Sequence, residues 1–151
     1  MSDLSALLRR TVEELEAREL PDEALAEERN SRWRGRRLVP AGRAWRLGVL
    51  LLDRNGRLYA TGQVTRAIEP LRGVANKSPD AEVRREHRRA AARGRFPEGE
   101  TVNFDYRAIE LEPPGDPLVV DGSSVLVRWN GTATRPLGDY LAERVDLLAG
   151  A

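Results

Sequence analysis

The sequence predicts an α+β domain: an antiparallel, twisted sheet or partly open barrel of about five to six strands, with N-terminal, central and C-terminal helices packed on it. Three observations carry this expectation. Apolar residues recur at helical spacing at both ends of the chain, they alternate at strand spacing through its middle, and short turn sequences rather than long crossovers join the strand-like runs.

Leu4, Leu7, Leu8, Val12 and Leu15 fall on one helical face, and Ser2 or Asp3 can cap its start, so an amphipathic helix is predicted over 3–19. Its opposite face is acidic. Pro21-Asp22-Glu23 places a proline and two carboxylates where a helix begins, which predicts a second short helix to Glu28. From Arg36 the period changes. Trp45, Leu47, Val49 and Leu51 alternate with Arg46, Gly48, Leu50 and Leu52, the pattern of one strand that is apolar on both faces and central in a sheet. Asp53-Arg54-Asn55-Gly56 opens with a turn-forming Asp and closes with Gly, so 57–66 is expected to return as a second strand.

Ser78-Pro79-Asp80 supplies a cap, a first-turn proline and a carboxylate, and Gly94 supplies a stop, which predicts a helix over 79–93. Val102, Phe104 and Tyr106 then alternate, whereas Ile109 and Leu111 are in the opposite phase. A bulge or sharp bend near Arg107 reconciles them. Short strands over 118–120 and 125–129 flank Asp121-Gly122, and Asn130-Gly131 turns into 132–135. Leu137, Tyr140, Leu141, Val145 and Leu148 mark a C-terminal helix, which docks on the chain's own sheet or, left exposed, pairs two copies as a homodimer. No repeat or linker interrupts the chain. It reads as a single domain, with a helical segment over 1–29, a sheet with an inserted helix over 36–135 and the final helix over 137–149.

A chain of 151 residues can bury a substantial core without staples. Having no cysteine, it has no disulfide, thiolate metal site or cysteine nucleophile. The start Met1-Ser2-Asp3-Leu4-Ser5 lacks the basic and apolar stretches of a secretory signal, and no window approaches the ~20 apolar residues of a membrane helix. A cytoplasmic location without a membrane partner is expected. His87 is the sole histidine and no carboxylates fall at metal-ligand spacing, so no metal is expected. Phosphate-binding glycine loops, dinucleotide fingerprints and serine elbows are absent, and no cofactor is expected.

The 25 basic and 24 acidic residues give a net charge of +1, and Lys77 is the sole lysine. The codon bias of a GC-rich bacterial genome accounts for such an arginine preference, while the planar guanidinium also suits phosphate and carboxylate. The charges are segregated. Arg29, Arg32, Arg34, Arg36, Arg37, Arg43 and Arg46 occupy a stretch without a carboxylate that also holds Trp33 and Trp45. Arg84, Arg85, Arg88 and Arg89 form two i,i+4 pairs, extended by Arg93 and Arg95.

One reading makes these segments a surface for nucleic acid or another anionic ligand, with Trp33, Arg34, Arg36, Arg37, Arg84, Arg85, His87, Arg88 and Arg89 as contact candidates. The other pairs them with the chain's own acids, among them Glu13, Glu14, Glu16, Glu27 and Glu28. Trp33, in a charged loop, is the better stacking candidate, whereas Trp45 belongs to a core or pocket wall and Trp129 lids a sheet edge. His87 is expected at the surface, with its cation disfavoured by the neighbouring arginines. For an enzyme the one group to consider is Asp105, Tyr106 and Arg107; Asp105 and Arg107 share a strand face and are expected to form an ion pair.

The run Leu50-Leu51-Leu52-Asp53-Arg54-Asn55-Gly56-Arg57-Leu58 resembles the opening hairpin of Nudix hydrolases, and Arg85-Glu86 sits on a later helix as that family's Arg-Glu pair does. The family's two magnesium-binding glutamates fall on Arg89 and Ala90, and its upstream glycine and glutamate fall on Leu71 and Lys77. The resemblance spans roughly a quarter of the chain and implies a hairpin topology without a working Nudix site. Three classes of function therefore stand: first a noncatalytic module that binds a ligand or protein partner, then a nucleic-acid module using 29–46 and 84–95, then a small metal-independent enzyme with a carboxylate and arginine site.

Overall fold

The computed structural model describes residues 2–33, 35–67, 79–93 and 96–150. In chain order the elements are α1 (Ser2–Ala17), β1 (Glu23–Ser31), β2 (Gly35–Leu47), β3 (Leu50–Leu52), β4 (Leu58–Ala60), β5 (Gln63–Arg66), α2 (Pro79–Arg93), β6 (Thr101–Phe104), β7 (Arg107–Ala108), β8 (Leu118–Asp121), β9 (Ser124–Asn130), β10 (Ala133–Pro136) and α3 (Leu137–Leu148). The class is α+β, as the patterning predicts. The strands are ordered β5-β6-β1-β2-β3-β4-β7 in a seven-stranded sheet and β10-β9-β8 in a three-stranded one. The larger sheet has more strands than expected and is mixed rather than antiparallel, because β1 and β6 run parallel with Ala24 opposite Val102 and Leu25 opposite Asn103.

Contacts within the chain define two units. The first comprises Met1–Asp22, Ala44–Thr61 and Arg107–Ala151, and the second Glu23–Arg43 and Gly62–Tyr106.

In the first unit, Leu4, Leu8, Val12 and Leu15 form the buried stripe of α1. They share one core with Trp45, Leu47, Leu50, Leu52 and Leu58 of the strands and Leu137, Tyr140, Leu141 and Val145 of α3. The face of α3 that offered a homodimer contact is thus covered within its own unit, and Leu147 is its exposed large apolar residue. The Asp53 turn forms as its sequence dictates. Gly56 N–H donates to the Asp53 carbonyl at 3.0 Å, and Asp53 Oδ1 accepts from the N–H groups of Asn55 and Arg57 at 2.9 Å each.

The apolar run over 45–52 is a hairpin rather than one strand. Leu47 pairs with Leu50 across the two-residue turn Gly48-Val49. Gly48 has φ +68°, and a Cβ there would lie 1.9 Å from the Tyr140 hydroxyl, which itself accepts the Val49 N–H at 3.0 Å. Glycine is the residue that meets both demands. The expected return strand over 57–66 is likewise divided: β4 pairs with β3, and β5 pairs with β6.

In the second unit the helix expected from Pro21 to Glu28 is replaced by strand β1. Its Ala24, Leu25 and Ala26 are buried in succession. A strand paired on its neighbours buries both faces, which a short helix with that sequence cannot do. Among the described residues its core comprises Ala24, Ala26, Leu38, Ala67, Ala90, Ala91, Val102 and Phe104. Helix α2 spans the expected residues, whereas Ser78 and Gly94, its expected caps, lie outside the described residues. After β6 the phase changes at Asp105, whose φ of +57° ends the strand two residues before the bend expected near Arg107.

Candidate functional site

The near-neutral total conceals a division of charge. The first unit carries ten Arg against fourteen Asp and Glu, a net of −4, and the second carries fifteen Arg and Lys against ten Asp and Glu, a net of +5. Apart from Arg46, both basic segments of the sequence belong to the second unit.

Trp33 lies in the turn between β1 and β2 and is 90% exposed, with Arg32 exposed beside it. Arg34 lies outside the described residues. Arg36 is committed to acids: its Nε lies 2.9 Å from Glu28 Oε1 and its Nη1 3.5 Å from Glu86 Oε1, and the Glu28 hydrogen bond above all raises the pKa of its guanidinium. Arg37 is half-buried, with its Nε enclosed and without a hydrogen-bond partner among the described residues. Arg29 pairs with Glu27 at 3.4 Å and Arg43 with Glu100 at 2.7 Å. Internal pairing therefore accounts for Arg29, Arg36 and Arg43, through acids of the same unit.

On α2 the buried face is His87, Ala90 and Ala91, whereas Arg84, Arg88 and Arg89 are exposed and Arg85 is half-buried. The surface position expected for His87 is incorrect. The residue is 9% exposed, and its ring meets the edge of Phe104 at a centroid distance of 4.9 Å. Burial lowers its pKa below the usual histidine value; Arg36 lowers it further, while Glu86, Asp105 and Glu28 act in the opposite sense. The arginine responsible lies on β2, not among the helix neighbours that the sequence suggested.

The Asp105–Arg107 pair does not form. Asp105 accepts a hydrogen bond from Gln63 Nε2 at 2.6 Å, and Arg107 Nη2 reaches Asp116 at 3.5 Å. The left-handed backbone at Asp105 removes the strand alternation on which that pairing relied. Trp45 is fully buried, as expected of a core residue, and its indole N–H donates to the Leu20 carbonyl at 3.0 Å.

Sequence reasoning missed a cleft in the first unit. Its volume is about 760 Å³, and its walls are α1, the Asp53 turn with β4, and β7 with the residues after it. Val12, Leu58, Ile109 and Leu111 are among its apolar lining, and Arg9, Glu13, Glu16, Arg57 and Tyr59 supply polar groups. Arg54, also in the lining, is held by Asp22 at 2.7 Å and lies over the Trp45 ring at 4.4 Å. Burial first, and then the charge of Asp53, raise the pKa of Tyr59, so its hydroxyl stays protonated and donates to Asp53 at 3.3 Å. A signal did exist in the sequence: Ser5, Arg9, Val12, Glu13 and Glu16 share one flank of α1.

Among the described residues no group of three or more His, Asp or Glu is placed to hold a metal ion, and no helix is long and apolar enough to cross a membrane. No family model, curated protein or solved structure matches the chain.

Proposed function

We propose that the chain is a binding module whose small-molecule site is the cleft of the first unit. The observation that carries this reading is the combination, in a single cleft of about 760 Å³, of an apolar floor with four charged side chains, Arg9, Glu13, Glu16 and Arg57, that have no ion-pair partner among the described residues. That volume is within the ~300–1,000 Å³ typical of small-molecule sites, where apolar surface supplies affinity and a few polar groups fix orientation. Arg9, Glu13, Glu16 and Arg57 line it, and none has an oppositely charged side chain within 4 Å among the described residues. The reading implies an amphipathic ligand, with its apolar body on Leu58, Ile109 and Leu111 and its polar end toward Arg9, Arg57 or the two glutamates.

An anilinonaphthalene sulfonate, which is fluorescent when bound in an apolar site, supplies the test. Ser5 and Ala108 are exposed residues of the lining, so Ser5→Trp and Ala108→Trp fill the cleft without entering the core. A saturable signal at one site per chain, lost in both variants while their melting curves match the parent, supports the reading. A titration that both variants leave unchanged removes it.

A further inference from the structure

We propose that the second unit carries a surface for single-stranded nucleic acid, formed by the β1–β2 hairpin tip at Arg32 and Trp33 together with the solvent face of α2. This site is separate from the cleft and does not depend on it.

Uncompensated charge is the first observation. Whereas Arg29, Arg36 and Arg43 each meet a carboxylate, Arg84, Arg88 and Arg89 have none within 4 Å among the described residues. Arg84 and Arg88 are four residues apart, and like charges at that spacing destabilise a helix. The helix thus exposes Arg84, Arg88 and Arg89, with Arg84 and Arg88 in one repulsive row, while it buries His87, Ala90 and Ala91. A polyanion relieves that repulsion, and arginine meets phosphate with two parallel hydrogen bonds.

The second observation is independent of charge. Trp33 is 90% exposed at the tip of a hairpin, where it gains almost nothing from burial. An exposed indole next to Arg32 offers a base both a stacking surface and a cation. The bases of a duplex have their faces covered by their neighbours, so stacking on Trp33 selects unpaired strands. An acidic protein segment would use the arginines but has no comparable use for the indole.

Third, the two features share one unit and are connected. Arg36, three residues beyond Trp33, reaches Glu86 on α2 at 3.5 Å. The backbone of Arg36, whose side chain makes that helix contact, is thus separated from the tip by about 11 Å of chain or less. An open depression lined by Glu27, Glu28, Arg29 and Asp105 includes neither the tip nor the α2 arginines.

Fluorescence anisotropy of labelled short oligouridylate and oligodeoxythymidylate on the full chain tests the proposal, with the corresponding duplex and a heparin fragment as competitors. Single strands should bind and the duplex should compete poorly. Affinity should fall with salt, and Arg84→Gln/Arg88→Gln/Arg89→Gln should reduce the slope of log affinity against log salt by about 2. Trp33→Ala should weaken binding between about fivefold and a hundredfold, with Trp33→Phe retaining most of the affinity because it keeps a stacking ring. Melting curves that match the parent separate lost contacts from lost structure. Absence of oligonucleotide binding at low salt overturns the proposal, as does binding that is unchanged in the triple variant and in Trp33→Ala. Heparin bound as tightly as the oligonucleotides, with no loss in Trp33→Ala, marks a general polyanion patch and overturns it too.

Discussion

The first unit buries Trp45, Tyr140 and a set of leucines from two helices and several strands, whereas among the described residues the second buries many alanines, with Leu25, Leu38, Val102 and Phe104 as its larger buried apolar side chains. The second also encloses polar atoms without hydrogen-bond partners among the described residues, Asn103 Oδ1 and Arg37 Nε, each of the kind that costs about 1–3 kcal/mol when it stays unsatisfied. The units have opposite net charge as well, −4 and +5. The first unit thus has the larger apolar core among the described residues, whereas the second presents the α2 arginines and the 90% exposed Trp33 to solvent. Local stability follows buried apolar contact, so the second unit should open first.

The comparison breaks most readily at Trp45. Trp45→Ala should cost about 3–5 kcal/mol in denaturant unfolding, since it removes a fully buried ring and the surface on which Arg54 lies. Next is Gly48→Ala, which places a methyl group against the Tyr140 hydroxyl at a positive φ. It should cost about 1–3 kcal/mol by thermal melting, in contrast to a tolerated alanine at an open surface position. In the second unit, Ala90→Gly should cost about 1 kcal/mol, chiefly from helix propensity, because so little side chain is lost. Arg43→Ala, which breaks an exposed pair with Glu100, should cost less than about 1 kcal/mol.

His87 sharpens the comparison through pH. Its folded pKa lies below the ordinary value of about 6.5, so as pH falls through that value the unfolded chain takes up a proton that the folded unit resists. The resulting stability is full above about pH 6.5 and is lost as pH falls toward the depressed folded value. Hydrogen exchange should show the second unit opening more readily across that window, and His87→Gln should flatten the dependence.

Much of the fold was legible where the signal is local. The Asp53 turn is set by its own carboxylate, α1 and α3 by apolar stripes, and β8 to β10 by two tight turns, so each could be read within a short window. Strand β1 was not legible in this way. Pro21 and the glutamates that follow it imitate a helix start, while one of the strand's two neighbours in the sheet, β6, lies more than seventy residues further along the chain. The Gly48-Val49 turn was hidden because leucines on both sides continue an apolar alternation, and the close approach of Tyr140 depends on a helix at the other end of the sequence. A lone histidine in an arginine-rich helix reads as a surface residue, and His87 is buried instead. Its spacing with Ala90 and Ala91 carried the contrary signal, a buried face at i, i+3 and i+4. The α2 arginines and Trp33 were legible as exposed candidates, but the division of charge by unit follows from folding alone.

The most direct test of a nucleic-acid surface on the second unit is two-dimensional NMR of isotope-labelled protein during titration with oligouridylate. The account predicts shifts at Arg32, Trp33 and the amides of α2, with those of Ser5, Arg9, Tyr59 and Ala108 in the cleft unmoved. Shifts centred on the cleft, or no specific shifts at low salt, would contradict it.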